Sequence, residues 1–375
     1  MPSASAYFLC RLRILNNPAL WRRHVASQER FVSIQALRAI AASVVVLAHL
    51  EVYFPNALSK SHPLWQYLQY GGAGVDLFFV ISGFVMVYAS ERFFAVPGGP
   101  KQFFLRRLAR IIPLYWICTS VWILLLMVKY KGSVIPNLPY DSMLASYFFI
   151  PLARPNGVIS PALGLGWSLN FEMMFYAIFA CVLLFQRFYA VIAASIILMI
   201  LIGISSQLPD TILTFYDNPR IYQFIFGMIV GLVYRRGIRL SLFGSIALCL
   251  AGMVLLAMSD TLLQHYPALL RPYSWGVAFA LIVAAGVLCK ASARDHLGTK
   301  TALLLGDASY ALYLVHTIAL AVFSKGMPGL AAMIDGALIL LTIPLLMCTA
   351  LAVLVHLYVE KPIAQKLKRS KHRQV

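Results

Sequence analysis

Residues 37–50 read LRAIAASVVVLAHL. The stretch is apolar enough to lie in a membrane, yet it carries Arg38 and His49. Lipid penalises such groups: a charge at the bilayer centre costs at least about 2.5 kcal/mol, even on insertion-based scales. Two of them, eleven residues apart on one segment, need a reason.

The segment is one of many. Of 375 residues, 61% are hydrophobic and 12% charged, where a soluble domain carries roughly 25% charged residues. Apolar runs of about 18 residues or more, long enough for a bilayer core of about 30 Å, recur along the chain. They lie near 34–53, 73–90, 111–128, 168–185, 188–204, 219–234, 241–258, 274–289, 304–322 and 336–358. The expected fold is therefore all-α, a polytopic transmembrane helix bundle of about ten spans, because a backbone in lipid must satisfy its own hydrogen bonds. One membrane domain is expected over 33–362, with a basic segment at 1–32 and a basic tail at 363–375. The long outer loop 129–167, rich in Pro and Gly ("GSVIPNLPY", "PLARPNG"), is expected to form a partly re-entrant lid.

A net charge of +18 would point to nucleic acid in a soluble chain. Here it points to orientation. With the N-terminus inside, 23 of the 31 Lys and Arg fall in inner segments and 7 in outer loops, with Arg38 inside the first span. The positive-inside rule then places both termini in the cytoplasm, and no nucleic-acid partner is expected. The tail would lie against anionic membrane lipids. The six cysteines form no CxxC pair and no zinc spacing, so no metal is expected. GxSxG, P-loop and HExxH patterns are absent from the sequence, which leaves soluble hydrolase, NTPase and zinc-protease chemistry without support.

Helix geometry sharpens the opening pair. Eleven steps of 100° make three turns plus about 20°, so Arg38 and His49 share one face of the first helix, roughly 16 Å apart. Three further groups are expected at a depth similar to that of His49: Asp76 near the outer end of the second span, Glu172 about one turn into the fourth, and His316 about 18 Å along the ninth. Facing one cavity, they form either a reactive cluster or a structural polar knot. A second set gathers at the inner face. Arg106, Arg107 and Arg110 stand just before the third span; Arg107 and Arg110 are helical neighbours, with Pro113 expected near the helix start. Their forks suit a pyrophosphate or 3′-phosphate, though positive-inside anchoring explains them too. Asp307, near the inner end, is a candidate partner for Arg38. The aromatics Trp65, Tyr70, Tyr147 and Trp167 read as an interfacial belt or a sugar-stacking rim, and His356 and Glu360 as structural.

Taken together, these stretches resemble the acyltransferase 3 family of membrane O-acyltransferases over roughly residues 33–365. "IQALRAIAASVVVLAHL", "GVDLFFVISGF", "RLAR", "GWSLNFEMMFY", "SYALYLVH" and "VEKP" follow the family's landmarks in order. "GWSLNFEMMFY" and "NPRIYQFIFGMIVG" are most similar to its exopolysaccharide-modifying, ExoZ-like branch. Gln223 departs from an expected acidic residue. The resemblance implies a bacterial inner-membrane enzyme that moves an acyl group, acetyl before others, from cytoplasmic acyl-CoA to a hydroxyl. It implies a carbohydrate or lipid-linked oligosaccharide acceptor and no permanently bound cofactor, acyl-CoA being a co-substrate. Arg107, Arg110, Arg106 and Arg38 would hold the donor. His49 would act as general base or acyl carrier, and Asp76, Glu172 or His316 would orient it or bind sugar. The rival reading is a transporter of a saccharide or anion that uses the same buried charges as a relay; the paired broken helices that would favour it are not evident.

Overall fold

The computed structural model describes residues 18–54, 71–208, 212–265, 271–290, 297–326 and 337–372, with side chains over 32–54, 71–208, 212–259, 273–290, 298–325 and 341–367. Among these residues the architecture is all-helical, with two isolated bridges (Ala153 to Ile159, Leu240 to Cys289) and no strand. Thirteen helices are used below: α1 Pro18–Tyr53, α2 Gly72–Ala89, α3 Gly99–Lys129, α4 Tyr140–Tyr147, α5 Gly166–Val182, α6 Arg187–Ser205, α7 Tyr222–Arg235, α8 Leu242–His265, α9 Arg271–Leu288, α10 Leu297–Asp307, α11 Ser309–Gly326, α12 Ala337–Val355 and α13 Lys361–His372.

Each of the ten expected spans overlaps a helix or, for the ninth, a bent pair of helices. Among the described residues six of them are long and apolar enough to cross a membrane, or seven if the bent pair α10–α11 counts as one span. The chain is a multi-pass membrane protein. Three of the expected spans fall on shorter helices: α5, α7 and the apolar part of α9, Tyr273–Leu288. These short helices pack around α2, which is the centre of the bundle: 67% of its span is buried, against 17–33% in the other five candidates.

The closest crossing, α2 on α7, depends on glycine. A Cβ on Gly83 would stand 2.1 Å from the Phe224 carbonyl oxygen, and one on Gly227 would stand 2.0 Å from that of Val80. Each helix therefore lets the other's backbone in, as small residues do where no hydrophobic force separates helix from lipid. Around this crossing Phe79 stacks on Phe224 at 4.5 Å and Phe175 on Phe224 at 4.2 Å.

Two local expectations are corrected. Pro113 does not sit near a helix start. It lies inside α3, which runs unbroken from Gly99, with Pro100 in its first turn. Its missing N–H forfeits the bond to the Ala109 carbonyl, and the 31-residue helix carries this through its other backbone bonds. The arginine motif and the third span are therefore one rod. The ninth span, in contrast, is not one helix: α10 and α11 meet at 64°. The Ser309 hydroxyl donates to the Gly306 carbonyl at 2.7 Å, capping the turn, while Gly306 presses against the backbone of Gln35 in α1.

The long loop 129–167 folds back onto the bundle. Within it, α4 is tied to α3 by Tyr115 Oη donating to the Ser146 carbonyl at 3.0 Å and Trp116 Nε1 donating to the Tyr147 carbonyl at 2.9 Å. Trp65 and Tyr70 lie outside the described residues. The tail segment α13 follows a π-helical turn at His356–Glu360, where His356 Nδ1 and Glu360 Oε2 are 2.7 Å apart.

Candidate active site

Helical spacing gives four helices polar faces that converge. On α5, Ser168, Glu172 and Tyr176 recur every fourth residue and so line one face. On α2, Phe78 and Ser82 do the same; on α3, Arg107 and Arg110; on α11, Tyr310 and Tyr313. With Arg38 of α1, these side chains enclose a cavity of about 90 Å³. Three guanidiniums and one carboxylate thus share a wall whose remaining lining is aromatic, aliphatic or hydroxyl. The Arg107 guanidinium also lies over two rings, 5.3 Å from the centre of Phe103 and 5.5 Å from that of Tyr176. Glu172 Oε1 accepts hydrogen bonds from Ser82 Oγ at 3.0 Å and from the Tyr176 hydroxyl.

The two histidines form a separate centre. His49 of α1 and His316 of α11 meet edge to face with ring centres 5.0 Å apart. Each directs Nδ1 at the carbonyl four residues earlier in its own helix: His49 at Val45 (2.8 Å), His316 at Leu312 (3.0 Å). A carbonyl only accepts, so each ring places a proton on Nδ1, and in the neutral ring the lone pair is on Nε2. His316 Nε2 is fully buried and has no hydrogen-bond partner among the described residues. Neither histidine lines the arginine cavity. Tyr313 connects the two centres: it lines the cavity, packs edge-on to Phe78 at 5.9 Å and lies 6.2 Å from His316. Its hydroxyl is fixed by Ser168 Oγ at 2.6 Å and the Leu165 carbonyl at 3.1 Å.

This arrangement divides the expected four-group cluster. His49 and His316 come together as anticipated. Glu172 does not join them: its face of α5 runs down towards Tyr176 and the arginines, so its carboxylate belongs to the cavity. Asp76 turns towards α7, where it is fully buried and accepts from Gln223 Nε2 at 2.7 Å and Arg220 Nε at 3.2 Å. Arg220 reaches it from the turn Pro219–Ile221 and covers the Trp167 ring at 5.3 Å. Trp167 is thereby an internal packing residue that also meets Phe79 and Phe171. Gln223 acquires a role that its departure from the family pattern had obscured.

The arginines divide as well. Arg107 and Arg110 face the cavity, and Arg106 is exposed and lies 5.3 Å over the Phe93 ring. Asp307 does not pair with Arg38; it accepts from Gln35 Nε2, one turn earlier on α1. The residues that sequence reasoning missed are Ser82, Tyr176, Tyr310, Tyr313 and Arg220. Four of these were marked by a recoverable signal, a hydroxyl at helical spacing from a known landmark: Ser82 in "SGF", Tyr176 four after Glu172, and Tyr310 and Tyr313 ahead of His316.

The chain belongs to the acyltransferase 3 family: the family's sequence profile, described as an acyltransferase domain, matches residues 31–359. It is 33% identical to "Exopolysaccharide production protein ExoZ" of Rhizobium meliloti (strain 1021) over 310 residues, covering 81% of this chain and 92% of that protein. It is 28% identical to "Peptidoglycan O-acetyltransferase OatA" of Listeria monocytogenes over 170 residues, 42% of this chain and 25% of that longer protein. "Protein 2 in picA locus" of Rhizobium radiobacter is 31% identical over 94 residues, a quarter of this chain and 44% of that protein. No solved structure matches the chain. The protein is a membrane O-acyltransferase, and family membership sets the transporter reading aside.

Proposed function

We propose that this enzyme moves a short acyl group, acetyl before others, from acyl-CoA bound at the arginine cavity to a hydroxyl of a cell-surface polysaccharide. Its place is the bacterial inner membrane, with both termini in the cytoplasm, so that the arginine end faces the pool of acyl-CoA. The lysine and arginine bias of the sequence supports that orientation. The names of the ExoZ and OatA relatives support a polysaccharide acceptor and an acetyl group.

One observation carries the reading: α1 presents Arg38 to the arginine cavity and His49 to the histidine pair, roughly 16 Å apart along one helix face. A CoA thioester has the matching shape, a polyphosphate at one end and a reactive carbonyl at the end of an extended arm. Arg38, Arg107 and Arg110 would grip the phosphates through charge-assisted hydrogen bonds. The arm would then run past Phe78 and Tyr313 to the histidines. There the acceptor oxygen attacks the thioester carbonyl carbon while His49 Nε2 takes the hydroxyl proton. The carbon–sulfur bond breaks as the ester forms, and the imidazolium returns its proton to the departing thiolate. A neutral imidazole whose Nδ1 proton is held by a backbone carbonyl is set up for this duty.

Inner-membrane vesicles containing the protein test the reading. They would be supplied with radiolabelled acetyl-CoA on the cytoplasmic side and with host polysaccharide. Alkali-labile label should enter the polysaccharide, and His49→Ala should stop it while the protein still accumulates. Label transfer at the wild-type rate by His49→Ala would sink the mechanism.

A further inference from the structure

Glu172 poses an electrostatic problem. It is the one carboxylate among the described residues that line the arginine cavity, beside three guanidiniums. A carboxylate and a guanidinium this close attract, and normally close into a forked pair where the geometry allows. Yet none of the ion pairs among the described residues joins Glu172 to Arg38, Arg107 or Arg110.

The reason lies in what holds it. Both hydroxyl donors, Ser82 from α2 and Tyr176 from the next turn of α5, bond to the same oxygen, Oε1. Tyr176 is buried and engaged with both signs of charge at once. Its hydroxyl donates to Glu172, and its ring face lies 5.5 Å from the Arg107 guanidinium carbon. The carboxylate is satisfied by neutral donors and the guanidinium by a π face, so neither needs the other. The cavity keeps three positive charges available.

We propose that Tyr176, assisted by Ser82, tethers Glu172 away from the arginines so that they stay open to the polyphosphate of the acyl donor. Tyr176 is thus a positioning residue for donor binding. The inference rests on the reading that this cavity takes acyl-CoA. Tyr176→Phe keeps the ring and removes one of the two donors that tether Glu172, leaving Ser82 alone. The loosened carboxylate then closes on the guanidiniums, and the donor has to displace it.

Binding of CoA to the full-length protein in detergent, together with acetyl-transfer kinetics, tests this. Tyr176→Phe should raise the Kd for CoA and the KM for acetyl-CoA by about tenfold, the scale of one charge-assisted hydrogen bond, while kcat changes little. Adding Glu172→Gln to Tyr176→Phe should restore the affinity to the wild-type value or better, because no competing carboxylate remains. A Tyr176→Phe protein that binds CoA as the wild type does would overturn the tether. So would a weakened protein that Glu172→Gln fails to rescue, since damage to packing would not be repaired by a second change. Failure of the donor reading looks different: wild type and Arg107→Ala would then bind CoA equally poorly, whatever stands at position 176.

Discussion

The arginine cavity and the histidine pair are built on the same helix and obey opposite rules. At the cavity, charge is gathered and kept open, with three guanidiniums around one tethered carboxylate. At the histidine pair, no formal charge is needed. Two imidazoles meet edge to face, and both ring protons are committed to backbone carbonyls. A third polar group, buried Asp76 with Gln223 and the partly exposed Arg220, follows yet another rule, in which charge is paired with charge. The comparison separates groups kept available from groups kept satisfied. An ionisable residue in a membrane span is a stronger sign of function when its charge is not already paired: Asp76 is paired with Arg220, whereas His316 Nε2 has no hydrogen-bond partner among the described residues.

Substitutions at these regions should differ in kind as well as in size. The largest effect belongs to His49. A positioned general base contributes about 10²–10⁴ in rate, so His49→Ala should lower kcat by at least that order with the protein still folded, as read by label transfer per molecule of enzyme. Loss in KM alone would merge the two regions into one binding site. Next comes Arg107→Ala, which removes a charged fork from the donor. A hydrogen bond to a charged group is worth about 1.5–3 kcal/mol, so KM for acetyl-CoA should rise by about 10- to 100-fold and kcat should hold. Lys at the same position should recover part of this, keeping charge without the fork.

Asp76→Ala should behave as a stability defect. Removing one partner of a buried ion pair strands the other, at about 3–5 kcal/mol. The expected outcome is poor accumulation and a lower Tm in detergent, with the surviving molecules showing a near-normal KM. A selective loss of turnover in well-folded Asp76→Ala would move that group into the active centre. The smallest effect is expected at Arg106, which lies over Phe93 outside the cavity. Arg106→Ala should change the donor KM by less than about twofold, and a shift as large as that of Arg107→Ala would extend the donor site beyond the cavity.

Much of this was legible before the fold was known, because it depends on spacing along one helix. Arg38 with His49 and Arg107 with Arg110 follow from the 100° step alone, and both pairs point where that step puts them. What required a neighbouring helix could not be read. Asp76 found its partners on α7 and the turn before it, more than 140 residues away in sequence. Glu172 was drawn into the cavity wall by Ser82 of α2, ninety residues away in sequence. The bend between α10 and α11 arose where Gly306 meets Gln35, a contact that no local pattern in "LLLGDASYAL" announces. Length was misjudged for a related reason: α5 and α7 pack against the buried α2, so an apolar run there reports burial in protein as much as contact with lipid.

The account's central claim is that donor binding and chemistry occupy different regions joined by α1. It is tested most directly by the affinity of full-length His49→Ala for CoA in detergent. The account predicts a Kd equal to that of the wild type in a protein that transfers no acetyl group. Binding lost together with turnover would contradict it, and so would turnover that survives.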